Sequence, residues 1–149
     1  MTLMDKIRPL NDTDTKEWCR MRLALWPEHT EAEMYADMDD WRVNPKNATF
    51  VIERDNELLG GFIEMGQRDY AEGCESSPVA YIEGWYVDED LRGQGWGKAL
   101  VMAAEDWARQ QALAEIASDT WLDNETSIRA HLALGYEETE RLVAFRKKL

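Results

Sequence analysis

Arg92-x-x-Gly95-x-Gly97-Lys98 is a stretch suited to an anion. Gly93, Gly95 and Gly97 keep side chains away, so successive backbone N–H groups at a helix start can converge on a group such as pyrophosphate, with Arg92 and Lys98 adding positive charge. Two other phosphate loops are excluded by position. A P-loop requires glycine where Arg92 stands and Ser or Thr where Ala99 stands, and the dinucleotide fingerprint requires glycine at Lys98. Nearby, Glu83 interrupts the apolar run Y-I-E-G-W-Y-V, where a carboxylate is costly unless a cation or a donor meets it. That partner is either an ammonium brought by a ligand or an arginine of the chain. Asp119 sits at the C-terminal end of a strand-like segment, and it either faces a ligand or caps the next turn. Trp26 and Tyr70 offer flat apolar faces for rings, or for core packing.

The elements that must position these residues can be read from periodicity and punctuation. Tyr81 to Val87 reads as a shielded strand, and Leu100, Ala103, Ala104, Trp107 and Ala108 mark one face of the helix after the glycine turn. Upstream, Lys6 to Leu10 is strand-like, Thr15 to Leu25 helical, and Trp26-Pro27 breaks the pattern before a second helix from Glu31 to Trp41. Thr49 to Arg54 and Leu58 to Met65 form a predicted hairpin about Asp55-Asn56-Glu57. Arg68 to Pro78 has no apolar periodicity and reads as a surface loop. Glu115 to Thr120 is predicted as a strand, Asn124 to Leu134 as a helix closed by Gly135, and Tyr136 to Lys148 as a last strand. The order predicts an α/β fold with a mixed central sheet of about six or seven strands and about four helices.

Composition narrows the partners. A length of 149 residues fits one domain spanning 1–149. With 17 basic and 30 acidic residues the net charge is −13, and Arg146, Lys147 and Lys148 are the one basic cluster. Nucleic acid is disfavoured, whereas a polycationic ligand suits an acidic cleft. The N-terminus lacks the apolar core of a secretion signal and no run is long enough for a membrane span, so a cytoplasmic protein without membrane attachment is expected. Cys19, Cys74, His29 and His131 form no disulfide framework or metal-ligand spacing, and no metal is expected.

The glycine turn resembles the acyl-CoA pyrophosphate loop of the GCN5-related N-acetyltransferases (GNAT). At several further points the likeness is to the aminoglycoside 6'-N-acetyltransferases of that superfamily. These are W-P-E-H at 26–29, R-D-Y at 68–70 with S-S-P at 76–78, E-G-W-Y-V at 83–87, A-S-D-T at 117–120, Asn124 with His131, Gly135-Tyr136, and E-E-T-E-R at 137–141. The resemblance implies a GNAT-type domain that moves the acetyl group of acetyl-CoA to the 6'-amino group of an aminoglycoside, conferring resistance. It implies substrate contacts at Trp26, His29, Tyr70, Glu83, Asp119 and Glu140, with Glu83 or Asp119 taking the amine's proton. It also implies an acetyl-CoA site at Trp85, Tyr86, Val87, Arg92, Gly93, Gln94, Gly95, Trp96, Gly97 and Asn124. By pattern alone Glu140 is an outward polar residue of the last predicted strand. The superfamily usually has a tyrosine where His131 stands, so either the imidazole protonates the leaving thiolate or it is a packed neutral ring. Relatives often pair, and a homodimer is expected. The other readings are a GNAT enzyme for a different polyamine or a protein amine, and a non-catalytic acyl-CoA-binding domain.

Overall fold

The computed structural model describes residues 2–149. Its frame is a five-stranded sheet in sequence order: β1 (Ile7–Pro9), β2 (Ala48–Glu53), β3 (Leu59–Arg68), β4 (Val79–Val87) and β5 (Ile116–Ser118). The first four strands run antiparallel, and β5 lies parallel to β4. The parallel pairing needs a crossover, which the helix after the glycine turn supplies.

Alternation along the central strands sends residues to two cores. Val51 and Phe62 meet Trp18, Met21, Met34 and Met38 from helices α1 (Thr15–Leu25) and α2 (Glu31–Val43) on one face. Ile52, Ile63 and Met65 meet Leu100, Val101 and Ala104 of helix α3 (Trp96–Gln110) on the other. Helix α4 (Glu125–Ala133) follows β5, and Leu134 and Tyr136 just beyond it pack on this second core.

Local signals explain most boundaries. Thr30 and Glu33 form a capping box at the start of α2, with bonds of 3.1 and 3.0 Å. Asn56 and Glu57 both have positive φ, as a tight hairpin turn demands. Asn124 caps α4 through its side-chain oxygen, 3.1 Å from the Ser127 N–H, and Gly135 ends it with φ 89°. Strand β3 continues to Arg68, beyond the Met65 expected from sequence, because Gln67 and Arg68 pair with Ala80 and Val79 of β4.

Two expectations need correction. The sheet has five strands rather than six or seven, and Tyr136 to Lys148 forms no strand. The composition of that segment suits a strand, but a strand exists only through pairing, and among the described residues no strand pairs with it. Thr139 touches the loop carbonyl of Glu72 at 3.1 Å. Farther on, Leu142, Val143 and Phe145 are exposed, the last at 93%.

Candidate active site

The site begins where β4 and β5 part. They pair only from Ala80 with Ile116 to Ile82 with Ser118, after which β4 runs on to Val87 with one edge unpaired. The groove that opens there is lined by Glu83, Trp85, Tyr86 and Val87 from β4, by Ser118 and Asp119 from β5 and its end, and by Asn124 and His131 from α4. Trp26 and His29 from the segment after α1, Arg92 and Gly97 from the turn, and Glu140 line the same groove. Tyr70 is 68% exposed on its loop and, with residues 93–96, lies outside that lining.

At one end the backbone is arranged for an anion. Gly95, at φ 93°, stands immediately before α3, and no side chain caps this helix or places a carboxylate in its first turn. The N–H groups of Trp96, Gly97 and Lys98 have no intrahelical acceptor, so the positive end of the dipole is open. By contrast, α2 begins with Glu31 and Glu33. Arg92 fastens the turn to the strand by donating from Nε to the Val87 carbonyl at 2.8 Å, and Gln94 donates to the Asp90 carbonyl at 2.9 Å. Trp85 Nε1 is buried without a hydrogen-bond partner among the described residues. An open strand edge, an uncapped helix start and an orphaned donor fit a ligand that combines amides with a diphosphate.

At the other end are the carboxylates. Glu83 meets an arginine of the chain, as one of its two sequence readings held: Arg68 donates from Nε and Nη2 to its two oxygens at 2.9 and 2.6 Å. The guanidinium also lies over the Tyr81 ring, 3.5 Å from its centroid, and the Tyr81 hydroxyl donates to Asp119. The Glu83 hydrogen bond raises Arg68 above its ordinary value. Burial, then the bond to Asp119, raises the Tyr81 phenol. Asp119 itself is exposed.

Trp26 forms a side wall. It packs on Phe62 with ring centroids 6.3 Å apart, and Arg22 lies over it at 5.0 Å. Gly84 makes this approach possible, because a Cβ there would sit 2.8 Å from the Trp26 ring. Trp26 is therefore packed against Phe62 and Arg22 and also borders the groove. His29 is half-exposed, 3.5 Å from Glu28. Glu140 is exposed on the unpaired C-terminal segment rather than on a strand.

His131 lies 2.7 Å through Nδ1 from the Ser127 carbonyl and 2.8 Å through Nε2 from the Ser118 hydroxyl. A carbonyl only accepts, so Nδ1 carries a proton and Nε2 exchanges with Ser118. The edges of Trp85 and Tyr136 hold the ring in place. Arg68, Tyr81 and Ser118 had no role assigned from sequence. For Tyr81 the signal was its spacing of two from Glu83 along a strand, which gives both the same face. For Arg68 and Ser118 it lay only in pairing across strands.

The model of the acetyltransferase (GNAT) family matches residues 15–136. An aminoglycoside N(6')-acetyltransferase type 1 of Klebsiella aerogenes is 43% identical over 147 residues, with 96% of each chain covered. A protein of the same name from Salmonella enteritidis is 36% identical over 95% of this chain and 98% of its own. Among solved structures, AAC(6')-Iy in complex with the bisubstrate analogue CoA-S-monomethyl-acetylneamine superposes with a TM-score of 0.90 at 36% identity, covering 96% of this chain and 97% of that one. Aminoglycoside 6'-N-acetyltransferase AAC(6')-Ih from Acinetobacter baumannii gives a TM-score of 0.87 at 34% identity, over 96% and 97% of the two chains.

Proposed function

Because this chain belongs to the GNAT family of acetyltransferases, we propose that it is an acetyl-CoA-dependent aminoglycoside 6'-N-acetyltransferase and a resistance enzyme. The observation that carries this reading is the parting of β4 and β5, which leaves an amide edge and an uncapped helix start at one end of a groove and carboxylates at the other. We take residues 1–149 as one catalytic domain, a reading supported by near-complete coverage of relatives of similar length.

Acetyl-CoA supplies an activated acyl group. The diphosphate is assigned to the turn of Arg92, Gly93, Gln94, Gly95, Trp96 and Gly97, and the pantetheine amides to the free edge at Trp85, Tyr86 and Val87. Asn124 contributes its side-chain amide beside the cap it already makes. An N–H of the β4 edge is assigned the role of donating to the acyl oxygen as charge develops there. Trp26, His29, Tyr70 and Glu140 bound the aminoglycoside, and Glu83 and Asp119 attract its ammonium groups. The attacking amine must be neutral, so a carboxylate has to take its proton. Ser118, bonded to His131, lines the groove, and its hydroxyl can turn to donate a hydrogen bond to the leaving thiolate.

We also propose a homodimer, in which a second copy covers the exposed C-terminal segment. A cytoplasmic location agrees with two free cysteines and an acyl-CoA substrate. No helix among the described residues is long and apolar enough to cross a membrane.

Thiol release from acetyl-CoA tests the activity, using aminoglycosides with a 6'-amino group and analogues bearing hydroxyl there. Release is expected only with the amines, and expression should raise resistance to those drugs. A preference for spermidine or lysine peptides would move the acceptor to another class, and coenzyme binding without transfer would remove the enzymatic reading.

A further inference from the structure

Arg68, Glu83, Tyr81 and Asp119 form one connected set across three strands. Tyr81 and Glu83 share a face of β4, Arg68 ends β3, and Asp119 follows β5 two residues beyond Ala117, the parallel partner of Tyr81. The set joins one guanidinium to two carboxylates and therefore carries one uncompensated negative charge.

The geometry decides where that charge resides. Both oxygens of Glu83 are occupied by Arg68 in a paired arrangement. Asp119 receives only the Tyr81 hydroxyl among the described residues, on Oδ2, which leaves Oδ1 for a ligand. Tyr81 is 3% exposed and pressed beneath the guanidinium, so its hydroxyl has little freedom to turn elsewhere.

We infer that Arg68 and Tyr81 are positioning residues that divide the work of the two carboxylates: Glu83 holds Arg68, and Asp119, oriented by Tyr81, receives the substrate's ammonium and its proton. The inference rests on the acetyltransferase reading above. In the proton step an N–H bond of the ammonium breaks, its electron pair stays on nitrogen, and the proton passes to Asp119 Oδ1 and then to water. Without Glu83, Arg68 would turn its charge towards Asp119 and compete with the substrate. Glu83 would thus matter for binding without being the ammonium's seat.

Kinetics with a 6'-amino aminoglycoside separate these roles. Glu83→Gln is expected to raise the aminoglycoside KM on the order of 10-fold and leave that of acetyl-CoA unchanged. Adding Arg68→Met to it should recover most of that loss, because the competing cation is gone. Asp119→Asn should lower kcat on the order of 100-fold with no recovery from Arg68→Met. Tyr81→Phe removes the hydroxyl that orients Asp119, so kcat is expected to fall while the KM for acetyl-CoA stays at the parent's value. Arg68→Lys should not replace arginine, since an ammonium cannot both fork onto Glu83 and stack on Tyr81. A double variant as impaired as Glu83→Gln alone, or Asp119→Asn with parental kcat, would overturn the division of roles while the parent's activity stands. A parent with no transfer to any aminoglycoside would overturn the function and this assignment together.

Discussion

Gly95 shows how one residue links backbone geometry to a ligand. Its φ of 93° lies where a β-branched side chain is strained, and an added Cβ would come within 3.3 Å of Leu3. Gly95→Val should therefore re-aim the open N–H groups of α3. Calorimetry is expected to show acetyl-CoA affinity reduced at least about 10-fold with aminoglycoside affinity little changed; equal acetyl-CoA affinity would remove the anion site from this turn. Asp14 offers a second test at this scale. It accepts from Arg8 at 2.7 and 3.0 Å and from the Asn11 N–H at 2.7 Å. Burial pushes its carboxyl up, but these donors outweigh burial and hold it below the ordinary value. Its contribution is present in full above the unfolded aspartate value of about 4 and is lost as pH falls through the lower folded value. Acid unfolding of Asp14→Asn should lack that part of the pH dependence.

Helix α1 is tied to the sheet by a buried polar cluster as well as by apolar packing. Glu64, 1% exposed, accepts from Arg22 at 2.7 and 2.9 Å and from Trp18 Nε1 at 2.8 Å. Glu64 lies at the register shift of β3, opposite Gly84, and Arg22 passes from it to the Trp26 ring. The ion pair thus connects the sheet to the groove wall. Glu64→Gln leaves the guanidinium buried without its counter-charge, so a loss of about 3–5 kcal/mol in denaturant unfolding is expected, with a raised aminoglycoside KM. Unchanged stability would make the cluster incidental. Most elements were legible because their signals are local: the break at Trp26-Pro27, the start of α4 at Asn124, Gly135 and the apolar face of α3 lie where periodicity and turn chemistry place them. The end of β3 was not, because Gln67 and Arg68 join the sheet through partners in β4 rather than through their own pattern.

Across the whole molecule, the unpaired C-terminal segment points to assembly. Leu142, Val143 and Phe145 are exposed and the outer edge of β5 pairs with no strand among the described residues, so a second copy has both a segment to cover and an edge to extend. Sedimentation is expected to give a dimer, and Phe145→Glu should shift it towards monomer; a parent that stays monomeric at every concentration would overturn the pairing. The amino-acid sequence by itself determined the order of elements as far as α4, the glycine turn and the acidic net charge, because turn chemistry, amphipathic spacing and composition are local properties. Only the tertiary structure decided that Glu83 is held by Arg68, that Tyr81 reaches Asp119, and that the last segment has no strand partner among the described residues. Those outcomes depend on which strands lie side by side, and pairing between residues distant in the chain leaves no mark in local pattern.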